Sequence, residues 1–74
     1  MLKTGELYIN KNSSFNVGSN SDYKGLYIEI KTHDFLLLLD EVTNKNMDSY
    51  VFLTKYGIVY GLKTATMIWK DLCE

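Results

Sequence analysis

Apolar and polar positions alternate with a period of two along most of the chain, the signature of strands with one buried face. Gly5–Ile9 reads as a first strand, with Leu7 and Ile9 on one face and Glu6 and Tyr8 on the other. Lys24–Thr32 alternates more cleanly, Leu26, Ile28 and Ile30 opposing Tyr27, Glu29 and Lys31, and predicts an antiparallel strand with a core side and a solvent side. Phe35–Val42 holds an unbroken run, Leu36–Leu39. Such a run predicts a strand covered on both faces, or one whose outer face meets a partner; a helix is the alternative reading, but eight residues between two turn signals favour a strand. Tyr50–Thr54 and Ile58–Leu62 flank Lys55-Tyr56-Gly57, a short hairpin connection with glycine where positive φ is needed. Gly61 interrupts the last of these strands and marks a bulge or a close approach.

Between these runs lie polar stretches. Asn10–Asp22 contains four asparagines and four serines, with Phe15 and Val17 its apolar residues, and reads as a long loop pinned to the body by those two side chains. His33-Asp34 sits where a tight turn belongs, and Thr43–Asp48 reads as a polar loop. Lys63–Glu74 is ambiguous: a tight turn followed by a short strand or a single helical turn, with Thr64 or Thr66 as cap and Ile68 and Leu72 on one face. Short connections force sequential antiparallel pairing, and about five short strands of this kind close into a small barrel. The expected architecture is therefore all-β: one domain over residues 1–74, a five-stranded antiparallel barrel with a short C-terminal helical turn.

Composition narrows the function classes. Seventy-four residues hold one modest core, and the single cysteine, Cys73, allows no internal disulfide. One histidine and one cysteine do not make a zinc site. With so few staples, self-association into a homo-oligomer is a reasonable expectation. The formal charge is −1, from eight lysines against nine acids with no arginine. That balance argues against nonspecific attraction to nucleic acid or to a membrane, and removes the bidentate fork that reads guanine edges and phosphates. Without an apolar leader at the N-terminus, and with a free thiol, the expected location is the cytoplasm. Lysine and asparagine in place of arginine also hint at an AT-rich gene, of a virus or a low-GC bacterium.

The order of features resembles that of small SH3-like barrels found among phage accessory proteins. The residues that carry the likeness are Gly5-Glu6-Leu7-Tyr8-Ile9, the long polar loop, Lys24-Gly25-Leu26-Tyr27-Ile28-Glu29-Ile30, the hydrophobic strand and hairpin, and the closing Ile68-Trp69-Lys70-Asp71-Leu72. The likeness spans nearly the whole chain as a pattern. SH3 domains that bind proline-rich peptides carry acids in the long loop and an Ala-Leu-Tyr-Asp-Tyr start; both are missing, so polyproline binding is not implied. This outline speaks to fold more than to function.

No catalytic constellation emerges. His33 adjoins Asp34, but neighbours in a turn point apart, and no nucleophile stands in a recognisable context. Asp40, Glu41 and Asp48 with Asn44 and Asn46 lack the spacing of a cation loop and read as a solvated surface. The five glycines are isolated, so no phosphate cradle exists. No cofactor and no metal are expected. Six tyrosines, at 8, 23, 27, 50, 56 and 60, are the notable excess. Alternation puts Tyr8 and Tyr27 opposite the aliphatic core. Aromatics there serve as anchors in a protein interface, or as a stacking platform for single-stranded nucleic acid. The expectation is a non-catalytic protein-interaction module that binds a protein partner, in the phage reading a host protein, through Tyr8, Tyr27, Phe35 and Trp69. Single-stranded nucleic-acid binding by the same aromatics with lysines is the alternative, and the scattered acids weigh against it.

Overall fold

The structure, a computed structural model, describes residues 2–73. Alternation becomes six strands and one helix: β1 (Leu7–Ile9), β2 (Phe15–Gly18), β3 (Tyr27–Ile30), β4 (Phe35–Asn44), β5 (Met47–Thr54), β6 (Gly57–Leu62) and α1 (Thr66–Leu72). All pair antiparallel in one sheet of order β1-β4-β5-β6-β2-β3. The mainly β class stands. The five-stranded closed barrel does not: there are six strands, and no ladder joins edge strands β1 and β3. The edges approach beyond the strand ends, where Asn10 N–H donates to Asp34 O (2.9 Å), His33 N–H to Asn10 O (2.6 Å) and Asn10 Nδ2 to Ile30 O (3.4 Å).

The sixth strand is the polar stretch. Phe-Asn-Val-Gly is too short to show alternation, yet Val17 is buried and Phe15 half-buried, and both strand neighbours supply hydrogen bonds. The expected loop at Thr43–Asp48 is also mostly strand. Its two central residues, Lys45 and Asn46, take left-handed φ values of 52° and 66°, the geometry of a two-residue hairpin turn whose twist matches the strands. At the other hairpin Gly57 sits at φ +102°, as its place predicts.

One face of the curled sheet holds the core. Leu36 and Leu38 of β4, Phe52 of β5, Val59 of β6 and Ile30 of β3 are fully buried, joined by Leu2, Val17, Tyr50 and Leu72. The helix α1 closes this face. At seven residues it is too short to persist alone and is held by packing. Neither Thr64 nor Thr66 caps it: the N-cap is Ala65, with no side-chain hydrogen bond. Its centre is Trp69, edge-on to Phe15 (5.9 Å) and Tyr50 (5.4 Å) and tilted over Phe52 (5.5 Å).

Two facings differ from expectation. Leu7 and Ile9 of β1 are exposed, while Tyr8 turns toward the core, its hydroxyl accepting from Lys3 N–H at 2.8 Å. Leu2 enters the core ahead of the strand, so β1 needs no aliphatic residue there. In β3, Ile28 and Ile30 face inward as expected, but Leu26 precedes the strand and is exposed. No helix among the described residues is long and apolar enough to cross a membrane.

The turn at His33-Asp34 carries the main buried charge. Asp34 accepts from Tyr56 Oη–H (2.6 Å) and Lys31 N–H (2.8 Å), and pairs with Lys55 Nζ at 3.0 Å. These donors, the Tyr56 hydroxyl first, hold its carboxyl down at about 2. A carboxylate with a depressed folded pKa contributes stability that is present above its unfolded pKa and is lost as pH falls through the folded value. The unfolding midpoint in urea is therefore expected to drop between about pH 4 and pH 2. In Asp34→Asn the midpoint should start lower and vary less over that range; an equal pH dependence in the variant would show that other groups carry it.

Candidate binding groove

Strand β2 pairs with β6 at Gly18 opposite Tyr60 alone, while all four of its residues pair with β3. Beside that contact, residues of β2, β6, α1 and the loop after β2 bound a recess. It forms a groove of about 200 Å³. Tyr23, Tyr27, Tyr60 and Met47 line its sides, and Trp69 lies at its base.

Two glycines make this arrangement possible. A Cβ on Gly61 would lie 2.5 Å from Trp69 Cη2, so the indole fits only over a bare backbone. A Cβ on Gly18 would lie 2.6 Å from Tyr23 Cδ1. Tyr23 sits at φ 59° in the loop after β2, and shares a 2.7 Å hydrogen bond with Ser49 Oγ of β5. Burial pushes its hydroxyl pKa up, partly countered by that bond. Trp69 Nε1–H donates to Leu62 O at 2.8 Å. Its one polar atom is thus used within the fold, and what meets the groove is apolar ring.

The lining contains no charged residue. Its polar side chains are Asn16 and three tyrosines, and a phosphate backbone finds no counter-charge there. Among the described residues no three His, Cys, Asp or Glu side chains come together to hold a metal. The volume favours a small occupant. Drug-sized molecules occupy pockets of roughly 300–1,000 Å³, so this groove suits one inserted side chain.

Of the four residues expected as anchors, the structure brings two together. Tyr27, 66% exposed on edge strand β3, stands on the rim of the groove, and Trp69, 1% exposed, forms its base. Trp69 is accordingly a core residue and not a surface anchor, because α1, expected as a short strand or a single helical turn, packs its indole inward over Gly61. Tyr8 lies on the core side of β1. Phe35 is half-buried on the outer face of β4, opposite Ile9 and away from the groove. Sequence reasoning missed Tyr23, Tyr60 and Met47 as neighbours; the tyrosine excess and the two strand glycines were the available signals. Family models, curated proteins and solved structures all fail to match the chain, and its function is read from its own geometry.

Proposed function

We propose that the chain is a non-catalytic protein-interaction module, and that its partner seats one apolar or aromatic side chain in the tyrosine-lined groove over Trp69. The carrying observation is an uncharged aromatic recess of single-side-chain size with an exposed tyrosine on its rim. Interfaces concentrate their energy where such an anchor fills a desolvated pocket ringed by aromatics. Tyrosines provide large contact area with few torsions to freeze. The likeness of its sequence pattern to small SH3-like barrels found among phage accessory proteins directs the search to a host protein that the module binds and modulates, in the cytoplasm. Stacking of single-stranded nucleic acid is disfavoured by the absence of lysine from the lining.

Affinity capture from host lysate, with nuclease present, tests this reading when run beside Tyr27→Ala. Because Tyr27 projects into solvent, its truncation leaves the fold intact. Loss of an anchor of about 2 kcal/mol weakens binding roughly 30-fold. One stoichiometric protein retained by the native chain and lost by the variant is expected. Capture abolished by nuclease, or equal for both chains, would contradict it.

A further inference from the structure

The outer face of the sheet is half covered. At the end near Ser49 the loop after β2 lies on it, with Tyr23 bonded to Ser49 and Asn44 Nδ2 donating to Ser21 Oγ at 3.1 Å. The other end is bare. There, cross-strand register places Leu7 of β1, Leu37 of β4, Leu53 of β5 and Ile58 of β6 side by side, with Ile9 opposite Phe35 in the adjoining row. Their sequence neighbours Leu36, Leu38, Phe52 and Val59 are fully buried on the core side, so these six face outward. Leu7 is 61% exposed, Ile58 42%, Ile9 38% and Leu53 38%. The unbroken Phe35–Leu39 run is explained on one side by the core and on the other by nothing among the described residues.

We infer that this apolar row is the interface of a homodimer, in which two copies pack outer face to outer face about a twofold axis. Three observations favour a second copy over a foreign protein. First, the six residues carry no charge, and a twofold contact sets like against like, which an uncharged surface meets without repulsion. Second, the area comes near what a dimer needs. With Leu39 exposed at the β4 bulge, the partly exposed side chains present an apolar patch on the order of 400 Å². A standard interface buries about 800 Å² per partner, and homodimers are about 65% apolar, so roughly 500 Å² is needed. Third, the chain is small, and domains of this size bury a low share of their surface until they associate. Edge pairing is the weaker geometry: β1 offers three residues, and short edge strands are how sheets resist such addition. Face-to-face packing at the usual ~10 Å sheet separation uses the whole row. The patch adjoins the row Val51–Tyr60, whose Tyr60 lines the groove, and this inference does not depend on the groove's role.

Sedimentation equilibrium of the full chain under reducing conditions, which keep Cys73 out of the assembly, tests it with Leu7→Lys and Ile58→Lys. Both positions are exposed in one copy, so each variant keeps the fold, as circular dichroism checks. The native chain is expected at twice its 8.6 kDa mass. Each substitution enters a twofold interface twice and is expected to weaken dimerisation on the order of 100-fold, while Tyr27→Ala stays dimeric. A native chain that is monomeric up to about 1 mM, a larger assembly, or a dimer that survives either lysine variant overturns the inference.

Discussion

Trp69→Ala is expected to abolish cooperative folding or to leave it barely intact. The indole is 1% exposed and touches Phe15, Tyr50 and Phe52, three rings from two strands that meet only through the core. Truncating a buried tryptophan costs about 3–5 kcal/mol through lost transfer energy and the cavity left behind. A 74-residue domain at ~0.05–0.15 kcal/mol per residue has roughly 4–11 kcal/mol in all. The substitution also takes one of two donors from Leu62 O, leaving Ala65 N–H, and removes the ring that ties α1 to the sheet. Urea denaturation followed by far-ultraviolet circular dichroism should therefore show no folded baseline, or a midpoint near zero denaturant. Trp69→Phe, which keeps most of the apolar surface, should retain a transition at reduced midpoint. A stable Trp69→Ala chain would place the indole outside the core and undo the assignment of α1.

Gly61→Ala carries the second large effect, and its sign is diagnostic. Strand propensity alone predicts a gain of about 0.5–1 kcal/mol, because glycine is the poorer residue inside a strand and Gly61 needs no left-handed φ. The contact predicts the reverse. The new Cβ would lie 2.5 and 2.6 Å from Cη2 and Cζ2 of Trp69, a ring held by its own hydrogen bond and by three aromatic neighbours. Overpacking of this kind costs about 1–3 kcal/mol, sometimes more. The expected net result is a clear fall in the urea midpoint. In a Trp69→Phe background the clashing atoms are gone, so the penalty should shrink, and the two substitutions should fail to add. Stabilisation by Gly61→Ala would mean that the indole sits away from β6.

How much of this was legible in the sequence follows from which signals are local. The hairpin at Gly57 and the outward direction of Tyr27 were readable, since each rests on signals within a few residues. The strand Phe15–Gly18 was not, because two apolar residues among asparagines and serines carry almost no period-two signal; its pairing with β3 and β6 makes it a strand. The facing of β1 was inverted because three residues alternate equally well either way, and Leu2, outside the strand, decides which side is core. A closed barrel was expected from hairpin counting, yet β2 inserts between β3 and β6 and leaves both edges open. The groove depended on that same nonlocal step. Trp69 and Tyr27 were singled out as aromatics, but their meeting at a split between β2 and β6, residues about 40 apart in sequence, leaves no mark in local pattern. The outer apolar row did leave one, in the continuous leucines of β4.

The groove itself is tested most directly through the one tryptophan in the chain. Incorporating 5-fluorotryptophan puts a single fluorine signal at its base, to be followed as the captured partner is titrated in. The groove reading predicts that this resonance shifts with saturation, and that with Tyr27→Ala the same shift requires roughly 30-fold more partner. A partner that binds stoichiometrically while the resonance stays unmoved would dock elsewhere, and the assignment of the groove as the binding site would be wrong.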